Sequence, residues 1–177
     1  MKIGFCGTMS VGKTTLVNSL RELPEFAEYQ TRTERSKYLS DLGIPLNTDS
    51  TLKGQTIFLA ERCSELLQDN IITDRTVIDV MAFTALAKSI NYKDKQDFIN
   101  LAADMIHEYD YIFYIDPAGV EIEDNGVRET DAKYREEVNY MINFYLTKYS
   151  SRINNLVKIS GSNESRVKAV VDTLFIV

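Results

Sequence analysis

Gly7-Thr8-Met9-Ser10-Val11-Gly12-Lys13-Thr14 follows the apolar run Ile3-Gly4-Phe5-Cys6 and leads into Thr15-Leu16-Val17-Asn18-Ser19-Leu20. The spacing is G-x-x-x-x-G-K-[ST], in the strand, loop, helix order that phosphate binding needs. Gly7 and Gly12 allow the backbone to curl, so that successive N–H groups from Thr8, Met9, Ser10 and Val11 onward face phosphate oxygens. The helix that opens at Thr15 adds the partial positive charge of its N-terminus. Lys13, expected on the solvent side, should reach the β- and γ-phosphates, and the Thr14 hydroxyl should ligate Mg²⁺. A Gly-rich strand-to-helix turn without Lys and Thr in register would carry none of this.

Length and composition narrow the field. A chain of 177 residues suits one domain, residues 1–177, with a single sizeable core. Hydrophobic residues make up 44% and charged residues 26%, as in ordinary water-soluble folds. No apolar run approaches the roughly 20 residues that span a bilayer, so no membrane role is expected. Met1-Lys2-Ile3-Gly4 runs straight into a strand, which leaves no room for a signal peptide. Cys6 and Cys63 make no disulfide framework and are expected as reduced thiols in a cytoplasmic protein. His107, the one histidine, is expected as a partly exposed structural residue rather than a catalytic base. No cluster has metal-ligand spacing, so a metal should arrive with the nucleotide. A net charge of −6 disfavours a broad nucleic-acid face while leaving room for a local basic groove.

Apolar runs alternate with helical patterns and there is no internal repeat. Strands are expected at residues 3–6, weakly at 26–30, and at 70–74, 111–115 and 156–159. Helices are expected at 33–42 (stopping at Gly43), 52–69 (carrying Ile57, Phe58, Leu66 and Leu67) and 77–90. A further helix capped by Asp94 or Asp97 should bury Phe98, Leu101, Ala102 and Met105. The last two are expected at 131–149 and from about Asn163. The helix at 131–149 should present Tyr134, Val138, Met141, Ile142, Tyr145 and Tyr149 on one face. This order implies an α/β fold, a doubly wound parallel sheet of about five strands with helices on both faces. Ligands on such a sheet bind beyond the carboxyl ends of the strands, which would gather residues 7–14, 31–35, 74–75 and 116 onward.

Three further stretches carry chemistry. Ile71-Ile72-Thr73-Asp74-Arg75 delivers an acid and a base to the edge that holds the loop, with Asp79 four residues on. Asp74 can hold Mg²⁺ or take a proton from an acceptor hydroxyl. Arg75 can clamp an acceptor phosphate or the transferring phosphoryl group. Asp79 is more often helix-surface charge or the structural partner of an arginine. Thr31-Arg32-Thr33-Glu34-Arg35 fits acceptor recognition, or else Thr33 caps a helix with a charged first turn. Residues 118–130, with the turn Asn125-Gly126 and with Arg128, followed by Arg135, suit a closing lid (about 118–135) that excludes water.

With these pieces assembled the chain resembles the small P-loop nucleoside and nucleotide kinases. It is most similar to P-loop domains of the nicotinamide mononucleotide kinase type, a group with bacteriophage members that include kinases of modified bases in DNA. The residues that carry the resemblance are the loop 7–14, Ile71 to Arg75 with Asp79, and Asp124-Asn125-Gly126-Val127-Arg128 with Tyr134-Arg135. It covers essentially the whole chain. The family often has a Pro-Glu pair at the end of its second strand, where this chain has Thr31-Arg32-Thr33-Glu34-Arg35. That departure leaves the acceptor open. The resemblance implies an ATP- and Mg²⁺-dependent phosphotransferase acting on a hydroxyl or phosphate of a nucleoside, a nucleotide or a related compound, with DNA bearing hydroxymethylated bases as the alternative acceptor. Lys13, Arg75, Arg128 and Arg135 would neutralise charge, Thr14 and Asp74 would hold Mg²⁺, and Asp74 or Glu34 would serve the acceptor hydroxyl. Thr15 and the loop complete the ATP site. An ATPase or switch without a small acceptor is the rival class. A structural protein with a relic loop is a third. The oligomeric state stays open.

Overall fold

Apolar runs at residues 2–6, 71–74 and 111–115 form central strands buried on both faces, and every strand of the sheet pairs in parallel. The computed structural model describes residues 1–33, 35–120 and 131–175. Strands β1 (Lys2–Cys6), β2 (Gln30–Arg32), β3 (Ile71–Asp74), β4 (Tyr111–Ile115) and β5 (Leu156–Ile159) make one sheet in the order β2-β3-β1-β4-β5. Pairing of Phe5 with Asp74, Arg32 with Thr73, Cys6 with Tyr114 and Ile115 with Ile159 lines up the carboxyl ends. The expected α/β architecture is met.

Helices α1 (Lys13–Arg21), α2 (Ser36–Asp41), α3 (Leu52–Glu65), α4 (Val77–Leu86), α5 (Tyr92–Ala103), α6 (Ala132–Lys148) and α7 (Asn163–Phe175) connect and follow the strands. Side chains alternate along β4. Phe113 and Ile115 join Ile3 and Phe5 against Leu16, Val17 and Leu20 of α1 and Val170 of α7. Ile112 and Tyr114 join Cys6 against Ile78 and Met81 of α4, Phe98 of α5, and Val138 and Ile142 of α6. This two-sided burial is why β4 reads as an unbroken apolar run. Gly4 is required in β1, because a Cβ there would come within 2.8 Å of the Tyr109 ring. Among the described residues no helix is long and apolar enough to cross a membrane.

Several expected boundaries are corrected. The second strand lies at Gln30–Arg32, not 26–30. Pro24–Phe26 forms a 3-10 turn, and Phe26 is buried edge-on against Tyr29 and Phe175 as a core anchor. The helix expected from 33 starts at Ser36 without a Thr33 cap. The helix expected to 69 ends at Glu65, where the chain turns back toward β3, and this leaves Leu67 82% exposed. The helix expected to 90 ends at Leu86. Asn91, not Asp94 or Asp97, caps α5, since its side-chain oxygen accepts from the Asp94 N–H at 2.9 Å. Phe98 and Ala102 are buried as expected, together with Ile99 and Ala103, while Leu101 faces outward. In α6, Asp131 caps the helix and accepts from the Lys133 N–H, and Tyr134, Val138, Ile142 and Tyr145 are buried as expected. Leu146 joins that buried face, whereas Met141 is only partly buried and Tyr149 falls just beyond the last turn.

Candidate active site

The loop 7–14 wraps from the end of β1 into α1, with Ser10 at φ 58° and Gly12 at φ 85°. A positive φ suits glycine and strains other residues, so Ser10 is held there by its surroundings. Lys13 is buried rather than solvent-facing, and its Nζ donates to the carbonyls of Gly7 (2.7 Å) and Thr8 (2.8 Å). Thr14 Oγ1 donates to Asp74 Oδ2. Asp74 is 1% exposed, and its other oxygen, Oδ1, has no hydrogen-bond partner among the described residues. A buried carboxylate oxygen without a partner is costly, so this corner favours a cation. Ser10, Val11, Gly12, Lys13, Thr14, Asp74 and Arg75 line one cleft at this point.

Asp79 is not helix-surface charge. It is fully buried, and its Oδ2 accepts from Thr76 N–H (2.8 Å) and Thr76 Oγ1 (3.0 Å). Its Oδ1 accepts from the Gly7 N–H (3.1 Å) and stands 3.7 Å from an Arg75 nitrogen. Thr76 also caps α4 by accepting from the Ile78 N–H. One carboxylate thereby ties the start of the phosphate loop to the turn after β3. The spacing Thr76-Val77-Ile78-Asp79 is a capping-box signal that the sequence carried openly. Arg75 has φ 99°, donates its N–H to Phe5 O, and lays its guanidinium 5.0 Å from the centre of the Phe83 ring.

Behind β3 lies a buried pair that the sequence reasoning missed. Arg62 is 2% exposed, donates to Glu65 Oε1 at 2.6 Å, and reaches toward the Asp74 carbonyl. Burial pushes the Glu65 carboxyl up to about 7, against the opposing pull of Arg62. The i, i+3 spacing on a helix reads as a surface pair, and only packing against β3 puts it inside. Burial likewise raises the Tyr109 hydroxyl, which accepts from the Val77 N–H at 3.2 Å.

Two more arginines meet the loop. Arg135 Nε donates to Met9 O (3.2 Å), its Nη1 donates to Val120 O (2.6 Å), and Thr8 Oγ1 donates to Arg135 O (3.1 Å). Arg135 thus stands beside the loop, with its guanidinium on backbone carbonyls. Arg166 of α7 donates to Val11 O, and no sequence signal singled it out. Lys158 beside Asp116 holds that carboxyl below its usual range.

Elsewhere, Arg32 and Arg35 are exposed beside the end of β2, and Arg35 lies 3.4 Å from Glu61 and 4.4 Å from the Tyr38 ring centre. Glu34 and Arg128, together with residues 121–130 of the expected lid, lie outside the described residues. His107 sits in a 3-10 turn before β4, at the opposite end of the sheet, and is exposed. Cys6 is a buried thiol and Cys63 a half-buried one. No group of three or more metal-ligating His, Cys, Asp or Glu occurs among the described residues.

A parallel sheet of order β2-β3-β1-β4-β5 with a phosphate loop after its central strand defines the fold of the P-loop kinases. More particularly, the chain belongs to the AAA domain family, whose sequence pattern it matches over residues 2–166. It is similar in structure to deoxyadenosine kinase from M. mycoides with bound dCTP, with TM-score 0.69, 17% identity and 100% of both chains covered. It is also similar to NadR protein in complex with NR (TM-score 0.75, 17% identity), covering 97% of this chain and 50% of that one. YorR protein from Bacillus subtilis in complex with phosphorylated GDP is more distant, with TM-score 0.56, 16% identity, and 98% and 95% covered. No curated protein matches the chain.

Proposed function

We propose that the protein is an ATP-dependent kinase that transfers the γ-phosphoryl group to a hydroxyl or phosphate oxygen of a nucleoside, a nucleotide or a related small compound, in the cytoplasm. The observation that carries this reading is the contact of Thr14 with the buried Asp74 at the mouth of the phosphate loop, beside Lys13 and Arg75. The structural likeness to deoxyadenosine kinase and NadR supports it. Thr14 and Asp74 fit a Mg²⁺ ion, because a hydroxyl and a carboxylate with an unpartnered buried oxygen are hard donors. Bound with ATP, that ion would neutralise charge on the phosphates.

In the reaction the bond from the γ-phosphorus to the β–γ bridging oxygen breaks, and a bond to the acceptor oxygen forms. ADP leaves with the bridging oxygen, and a hydroxyl acceptor gives its proton to Asp74 or Glu34. Lys13 and the loop amides bind the β- and γ-phosphates, and Arg75, Arg128 and Arg135 offset the charge that builds on the transferring group. Such positioning and charge are most of what phosphoryl transfer asks of a protein.

The test is a panel of nucleosides, mononucleotides, nicotinamide compounds and DNA with hydroxymethylated bases, each incubated with labelled ATP and Mg²⁺. Label transferred to a small acceptor is the expected result. Label on DNA alone would move the acceptor to the polymer, and steady acceptor-free hydrolysis would make the protein an ATPase.

A further inference from the structure

Two carbonyls of the phosphate loop are held by side chains from other elements. Arg135 takes Met9 O and Arg166 takes Val11 O, while Gly7 O and Thr8 O are taken by the loop's own Lys13. Gly12 O accepts from the Leu16 N–H at 3.0 Å as the first bond of α1. In a trans peptide the C=O and the following N–H point in opposite directions. A carbonyl fixed outward therefore aims the next N–H inward, toward the phosphates.

Arg166 does this from α7, 155 residues along the chain from Val11. It is 5% exposed, so it is not a loose surface cation. Its Nη1 stands 3.2 Å from the place a Cβ on Gly12 would occupy, which packs the guanidinium on the Val11–Gly12 peptide itself. α7 is set at its start by Ser162, which accepts from Ser165 N–H through its hydroxyl and from Arg166 N–H through its carbonyl. Nearby Asp116 counters the cost of burying the guanidinium.

We propose that Arg166 is a positioning residue for the nucleotide. By holding the Val11 carbonyl outward it keeps the Gly12 N–H aimed into the phosphate cradle. The inference rests on the nucleotide-binding reading above. The cradle amides serve phosphates that ADP and ATP share, so the loss of Arg166 should weaken both nucleotides alike.

Arg166→Met keeps the length of the stem and removes the donors. Calorimetric titration should show MgADP and MgATP both bound about 10-fold more weakly, the size expected when one charge-assisted hydrogen bond that orders a site is lost. Turnover at saturating ATP should fall by a smaller factor. Arg166→Lys, which retains a donor, should recover most of the affinity. Thermal denaturation verifies that each variant is folded, and Arg166→Leu takes the place of the Met variant if that one is not. Nucleotide affinity within twofold of wild type in a folded Met or Leu variant would overturn the proposal. So would equal losses in the Lys variant, since the effect would then be packing. Wild-type protein that binds no nucleotide would overturn the kinase reading as well, which separates the two failures.

Discussion

The carboxyl ends of β1 and β3 and the carboxyl end of β2 lie on one edge of the sheet but are built differently. At β1 and β3 the charges Lys13, Asp74 and Asp79 are buried and tethered: Lys13 to its own loop, Asp74 to Thr14, and Asp79 to Gly7 and Thr76. At β2 a three-residue strand ends in exposed arginines, and Arg35 is held by Glu61 and by stacking on Tyr38. The difference fits the proposed function. A triphosphate has one shape and a large charge, so fixed donors that need no rearrangement serve it best. An edge strand with exposed side chains can be altered without unfolding the sheet. We take the first to be the donor side and the second the acceptor side.

The largest break in that comparison should come from Lys13→Ala. It removes the cation of the donor side, and phosphoryl transfer should fall by about 100-fold or more. Near wild-type turnover by a folded variant would end the kinase reading. Asp74→Asn preserves shape and removes charge, so turnover should fall by about 10-fold or more while ATP affinity changes little. A rate within a factor of about three, measured beside nucleotide affinity, would leave Asp74 a purely structural acceptor.

The tethers on the donor side carry a pH signature. Glu65 has its folded value raised to about 7 from the ordinary 4.5, chiefly by burial. Its proton is therefore favoured in the folded state. The stability tied to it is complete below about pH 4.5 and is lost as pH rises through about 7, by on the order of 3 kcal/mol. Denaturant titrations of wild type and Glu65→Gln across pH 4–8 should give a difference that grows over that window. A flat difference would mean that Arg62 keeps Glu65 ionised throughout.

The smallest effect belongs to the acceptor side. Arg35→Ala removes an exposed ion pair, so stability should shift by less than about 1 kcal/mol. ATP affinity should hold, and the acceptor KM should rise about 3- to 10-fold. A change in ATP affinity of the same size would mean that the two edges are not separate.

The strand β4 and the phosphate loop in its strand-to-helix setting were legible from the sequence, because a run buried on both faces and a fixed spacing are local signals, and β5 and the start of α7 followed at the expected places. The pairing of Asp74 with the loop was foreseeable once the sheet was taken as parallel, since strand ends then share an edge. Phe26 misled, because an aromatic that anchors the core from a 3-10 turn looks like a strand residue in one dimension. The i, i+3 spacing of Arg62 and Glu65 carries no local sign of burial, and Arg166 carries none either. Composition and local pattern determine where a chain bends and which stretches must hide from water. Which of two identical charges ends up buried depends on the element that packs over it. Only the tertiary structure brings α7 onto the loop and α3 behind β3, and so it alone decided which charges hold the site in place.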